Sequence, residues 1–273
     1  MVMLCSRGHA LRVAVRQLAW AGSAQETWTA GFASASTQPR GIIEVREYLV
    51  KPASMQAYVK LTEQYATVRK ELLPILGMFQ TDLGGPLTKL THFYNYVDLD
   101  ERDRIRAAAA AHPGWREFIR LGREHLDAQS SRIMLESTPV YEALSLPATR
   151  HFKSPTAEQA KQSQTQPVYE MRTYQLHPGY GSVPKLVQAF ASGLPSKVAA
   201  DPEGQLVFFG HTDVGTLNNV LEVWRYPSAQ QCIRARQAAR GVPQWKDTIA
   251  AVTPGVQFFT SEFAKPVSWS PWQ

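Results

Sequence analysis

Residues 43–52 of this chain are written a second time. Glu44, Arg46, Tyr48 and Pro52 recur as Glu170, Arg172, Tyr174 and Pro178 at a constant offset of 126, without a gap. A second block, 87–96, lines up with 217–226 at an offset of 130, and Gly85, Pro113 and Trp115 keep that offset with Gly215, Pro243 and Trp245. The drift of four residues is loop-length variation. A repeat of this kind means one supersecondary module used twice, and missing it would misassign the whole fold.

One copy can be read element by element. Residues 43–50 alternate, with Glu44, Arg46, Tyr48 and Val50 on one side and Ile43, Val45, Glu47 and Leu49 on the other, which is the pattern of a strand. Ser54 then caps a helix whose apolar positions, Met55, Tyr58, Val59, Thr62, Tyr65, Val68 and Leu72, fall at helical spacing until Pro74 and Gly77 stop it. Residues 76–83 and 87–97 form a hairpin around Gly84, Gly85 and Pro86. Asp98 and Asp100 cap a helix over 102–111, His112, Pro113 and Gly114 interrupt it, and residues 115–127 resume as helix. Residues 131–143 read as a last strand. The second copy repeats this order with strands at 168–176, 205–211, 217–226 and 256–263 and helices at 183–199 and 228–252, the latter broken at Gly241, Val242 and Pro243. Each repeat is therefore a ferredoxin-like βαββαβ unit. Two open sheets, each covered by helices on one face, bury their remaining faces by packing together, so the fold class is α+β, an intramolecular α+β barrel.

The chain has 273 residues, enough for two domains of the usual size. The boundaries expected are a mitochondrial transit peptide at 1–40, repeat one at 41–146, a polar, proline-bracketed linker at 147–167, and repeat two with a C-terminal tail at 168–273. The first 40 residues hold Arg7, Arg12, Arg16 and Arg40, and Glu26 as their single acid, with Ser, Thr and Ala in quantity. That composition is a mitochondrial presequence, with removal expected between Trp20 and Arg40. A secretory signal would need an unbroken apolar core, which Arg7, Arg12 and Arg16 interrupt. Localisation in the matrix follows as the expectation.

Half of the formal charge of +6 sits in those first 40 residues, and the remainder is too dilute to form a phosphate-binding face, so nucleic acid is not an expected partner. Two cysteines, Cys5 and Cys232, cannot make a disulfide framework or a metal knuckle. No apolar run is long enough for a transmembrane helix, although peripheral membrane association stays open.

The motif at 169–179, from Tyr169 through Glu170, Arg172, Tyr174 and Pro178 to Gly179, with its copy at 43–52 and the segment 208–226, resembles the NIPSNAP proteins. The resemblance runs from residue 42 to the C-terminus. It implies the dimeric α+β barrel fold, a largely mitochondrial family, a link in some members to marking damaged mitochondria for autophagy, and no settled enzymatic reaction. Repeat one departs from the pattern, since Gly85 to Leu90 replaces the form seen at Gly215 to Val220 and Tyr94 stands where the second copy has Trp224. If one half alone keeps a ligand site, the second is expected to be that half.

The candidate ligand-binding residues are Glu170, Arg172, Tyr174, Trp224 and Tyr226 in the second half and Glu44, Arg46, Tyr48 and His92 in the first. Each triplet puts an acid, a cation and a phenol on one strand face. Either the triplets line a polar cavity between the sheets, suited to a small anionic or aromatic ligand, or they form a paired network that fixes how the sheets dock. A buried charge persists only when partnered, which favours the network. His92 and His211 lack the spacing of a metal or haem site, so no metal and no cofactor are expected. No nucleophile elbow, Walker loop or dinucleotide fingerprint occurs, and Cys232 on a helix reads as an inert thiol, so no catalytic residue is assigned. The short aromatic–aliphatic matches at Tyr58 to Leu61 and Tyr141 to Leu144 lie in elements expected to be buried. The aromatic tail, with Val267, Trp269, Pro271 and Trp272, is expected to pack on the second domain or a neighbouring subunit.

The leading functional expectation is a mitochondrial, non-catalytic binding or scaffold protein, a subunit of a larger complex or a participant in mitochondrial quality control, with protein partners or a homo-oligomer. The alternative is an oxygenase- or isomerase-like enzyme with its site between the sheets, and a third reading is a purely structural subunit. Fold alone does not choose among them.

Overall fold

A computed structural model describes residues 40–155 and 166–273. The presequence expected at 1–40 lies, apart from Arg40, outside the described residues, as does the middle of the linker.

The first half runs β1 (Ile42–Val50), α1 (Met55–Gln64), α2 (Ala66–Leu72), β2 (Ile75–Leu83), β3 (Lys89–Tyr96), α3 (Leu99–Ala111), α4 (Pro113–Arg123), β4 (Leu126–Glu136) and the short α5 (Thr138–Ala143). The second runs β5 (Val168–Leu176), α6 (Ser182–Ala200), β6 (Gln205–Val214), β7 (Asn219–Tyr226), α7 (Ala229–Gly241), α8 (Pro243–Val252) and β8 (Val256–Pro266). The duplication extends to helix starts. Asp98 accepts a hydrogen bond from the Glu101 amide at 2.7 Å, its counterpart Ser228 accepts one from the Gln231 amide at 3.1 Å, and Pro113 and Pro243 each occupy the first turn of the following helix.

The eight strands close into one antiparallel barrel in the order β1-β3-β2-β8-β5-β7-β6-β4. Both closures cross between halves. On one side β2 pairs with β8, from Phe79 opposite Pro266 to Leu83 opposite Phe263, and on the other β4 pairs with β6, from Ile133 opposite Val214 to Glu136 opposite Gly210. Each half thus lends its last strand to the other. Lys89 on β3 strengthens the first seam by pairing with Glu262 on β8 at 2.5 Å.

Strand alternation sorts the core into three bodies. Ile43, Val45, Phe79, Phe93, Tyr169, Met171, Phe208 and Val223 fill the barrel interior. The opposite strand faces meet the helices: Tyr48, Tyr94 and Tyr96 pack with Tyr58, Trp115 and Phe118 in the first half, and Tyr174, Trp224 and Tyr226 with Leu186, Phe190 and Leu194 in the second.

Three expectations are corrected here. The helix expected to continue to residue 127 ends at Arg123, and β4 begins at Leu126. The strand expected to reach residue 143 stops at Glu136, because Pro139 in the first turn favours helix and α5 then buries Val140 and Tyr141. The aromatic residues of the tail pack on the first half, and only its last residue reaches the second, where the Gln273 carbonyl accepts from the Tyr169 hydroxyl at 3.1 Å and from Arg225 Nε at 2.6 Å. Because β8 lies beside β2, the residues after it emerge over first-half elements. Trp269 donates its indole N–H to Thr62 Oγ1 at 3.1 Å, Ser270 Oγ accepts from the Met78 amide at 3.0 Å, and Trp272 sits against Phe79, Phe93 and Phe152 in the barrel interior. Phe152 and the buried Thr149 belong to the stretch read as linker. Thr149 donates its amide to Glu136 at 2.9 Å and shares a 2.6 Å hydrogen bond with the Tyr141 hydroxyl.

Candidate functional site

The two triplets turn their polar groups away from the barrel interior, each beneath the helices of its own half, so they line no shared cavity between the sheets. The period-two alternation decides this: Ile43 and Val45 point into the barrel, which sends Glu44, Arg46 and Tyr48 to the helix side. The interior, where the enzyme alternative placed its site, is filled in its core by apolar and aromatic side chains.

In the second half Glu170 is 1 % exposed and accepts from Arg172 at 2.8 Å, Arg236 at 2.6 Å, Ser261 at 3.1 Å and the Cys232 thiol at 3.2 Å. Burial alone would raise this carboxyl, but the charges of Arg172, Arg236 and Lys197 outweigh it and hold the group at about 2. Burial and the adjacent Glu170 push the Cys232 thiol up, which keeps it protonated and donating. Arg172 passes its Nε–H to the Tyr174 hydroxyl at 2.9 Å, and Tyr174 donates to Glu222 at 2.8 Å. Glu222 is fully buried and also receives the Lys197 ammonium at 3.1 Å and the Trp224 indole N–H. Tyr226 stacks beside Trp224 with 6.4 Å between ring centroids, and its phenol is pushed up, burial first and Glu170 second.

The first half repeats the scheme around Glu44, which is fully buried and accepts from Arg46 at 3.1 Å, Arg102 at 2.8 Å, Ser131 at 2.6 Å and both Nε (3.0 Å) and a terminal nitrogen of Arg106. Burial raises this carboxyl as well, yet Arg102, Arg106 and the Ser131 hydroxyl bring it down to about 2. Arg46 donates to the Tyr48 hydroxyl at 3.2 Å, and Tyr48 lies over the His92 ring at 4.6 Å.

The structure therefore brings Glu44, Arg46, Tyr48 and His92 together, and separately Glu170, Arg172, Tyr174, Trp224 and Tyr226. The sequence does not single out their helix-borne partners Arg102, Arg106, Lys197 and Arg236, nor Ser131 and Ser261, and Cys232, read as an inert thiol, is a donor to Glu170. A signal existed for some, since Arg106 and Ser131 keep the 130-residue offset with Arg236 and Ser261. A cleft of about 320 Å³, lined by His151, Phe152, Lys153, Val198 and Leu206, reaches Trp224 from the linker side. Among the described residues no group of histidines, cysteines and acids could hold a metal ion, and no helix is long and apolar enough to cross a membrane. Tyr58 and Tyr141, which open the two short aromatic–aliphatic matches, are each 1 % exposed.

The NIPSNAP family model matches residues 43–138 and 169–271, one match per half. The chain belongs to the NIPSNAP family. Human protein NipSnap homolog 3A is 26% identical over 245 residues, covering 88% of this chain and 90% of the relative, and human NipSnap homolog 3B is 24% identical over 231 residues, covering 84% of each. Among solved structures, a provisionally assigned monooxygenase from Fusobacterium nucleatum superposes with a TM-score of 0.57 at 12% identity, over 83% of this chain and 92% of its own. An anthrone oxidase-like protein gives 0.51 at 10%, over 84% and 92%. These two share the barrel fold with this NIPSNAP protein.

Proposed function

We propose that this NIPSNAP protein is a non-catalytic binding or scaffold protein of the mitochondrial matrix, working within a larger complex or in mitochondrial quality control. What supports this reading is the closure of both carboxylate networks. Both oxygens of Glu44 and of Glu170 are taken by donors drawn from sheet and helix, so the acids that could serve as general bases are spent on holding the helices to the barrel. The basic, acid-poor composition of residues 1–40 supports the location.

A binding role also has a surface to use. Residues 256–262 of β8 pair with β5 along one edge, and among the described residues no strand pairs along the other. Phe258 and Phe259 are 57 % and 60 % exposed there. A free strand edge with two exposed phenylalanines suits a partner protein that adds a strand.

Purification of the tagged chain from mitochondria followed by native mass spectrometry tests the proposal. A stoichiometric protein complex that Phe258→Asp disperses supports it; a monomer without a protein partner that converts a small molecule would replace it with the enzyme reading. Import into isolated mitochondria with protease protection tests the location, and retention on the outer face would refute it.

A further inference from the structure

Under the helices the two halves differ in charge balance, and there the first half holds, in Arg69, a positive charge that no carboxylate in the described residues pairs with. In the second half the Glu222 carboxylate is the meeting point of Lys197, Tyr174 and the Trp224 indole. Three of these groups have counterparts. Tyr48 matches Tyr174, Tyr94 matches Trp224, and Arg69 matches Lys197, for Arg69 lies 5.2 Å over the Trp115 ring and Lys197 lies 5.3 Å over the equivalent Trp245. The carboxylate has no counterpart: at the position of Glu222 the first half carries His92.

Arg69 is 2 % exposed, and its contacts are the Tyr58 phenol, Met78 Sδ at 3.6 Å and the faces of Trp115, Phe118 and Trp269. A buried guanidinium without an anion is an expensive arrangement. His92 is fully buried; its Nδ1 lies 3.4 Å from the Tyr94 hydroxyl, and its Nε2 has no partner among the described residues. With Tyr94 donating to Nδ1, the neutral ring carries its hydrogen on Nε2, an unused N–H. Burial, then the guanidiniums of Arg69, Arg46 and Arg106, push the imidazole well below its ordinary value, so it does not add to the charge. Glu44 cannot serve Arg69, because Arg46, Arg102 and Arg106 already occupy it. Those three side chains are 18 %, 23 % and 22 % exposed and form the side of the cluster that reaches solvent.

We infer that the first half takes up a small carboxylate-bearing molecule, held by Arg69, the Tyr48 hydroxyl and the Nε2–H of His92, where the second half uses its own Glu222. The ligand half is then the first, opposite to the expectation from motif divergence, because the divergence removes the carboxylate that the second half supplies for itself.

The full chain titrated with formate, acetate and benzoate at constant ionic strength tests this, with calorimetry and the His92 ring resonances as readouts. At least one of the three binds saturably and moves the Nε2–H signal, and Arg69→Met weakens it by about tenfold or more, the loss of one charge-assisted contact. His92→Glu installs the missing carboxylate; it abolishes binding while raising the ligand-free thermal midpoint, which separates loss of the site from loss of the fold. Absence of binding by all three anions, or binding to His92→Glu as tight as to the unaltered chain, would overturn the inference.

Discussion

Glu170 and Glu44 carry the largest single-residue consequences. Replacing Glu170 by Gln removes the negative charge from between Arg172 and Arg236 in a buried position, and loss of one partner in such a cluster costs about 3–5 kcal/mol. Urea denaturation of Glu170→Gln against the unaltered chain measures it. The pH dependence has a definite sign. The carboxyl moves from an ordinary 4.5 to about 2 on folding, so its stabilisation is complete above pH 4.5 and disappears as pH falls through 2. It is worth roughly 3 kcal/mol, and the urea midpoint of Glu170→Gln should fall less steeply between pH 4.5 and 2.5 than that of the unaltered chain. Cys232, buried and donating to Glu170 with its thiol pushed up, should resist iodoacetamide in the native state and react on unfolding, as peptide mass spectrometry would show. Labelling of the native chain at Cys232 would contradict that placement. Most of this chemistry was legible in the triplets, because a charge pair inside an alternating strand announces a partnered network. Arg69 was not legible: on an amphipathic helix a basic residue next to Lys70 reads as solvated, and its burial depends on Trp115 and Phe118 of α4 and Trp269 of the tail converging from two other segments.

Among the elements, the helices after each hairpin are the most faithfully duplicated, from cap to break. Asp98→Ala and Ser228→Ala should each cost about 1 kcal/mol, since each removes one side-chain acceptor from a helix N-terminus. Unequal thermal shifts would show that one helix carries more of its half than the other. Strands β1 and β5 were readable to within a residue, because their alternation is regular and a proline follows each closely. Strand β4 was not, because its first half, with Asp127, Gln129, Ser130 and Ser131, is polar and solvent-facing and carries no apolar alternation. Its strand state comes from hydrogen bonding to β1, a tertiary cause that local sequence does not display.

At the level of the molecule, the repeat established that two like sheets would face each other, while the exchange of β4 and β8 across the seams came only with the coordinates. The tail belongs to this scale. Trp272→Ala should destabilise the whole barrel by about 3–5 kcal/mol, because the indole fills space bounded by Phe79, Phe93 and Phe152 from three separate segments. A single cooperative transition in calorimetry, shifted downward as one, is the expected result, and two separate transitions would mean that the halves melt independently.

The reciprocal lending of β4 and β8 bears on how such a chain is born. A ribosome that has released residues 40–155 has delivered β2 and β4 with the backbone donors and acceptors of both rims unmatched, and the strands that satisfy them arrive more than fifty residues later. Until synthesis ends, the nascent protein is a half-cylinder open along its length, so its safe maturation calls for a chaperone that shields both rims at once.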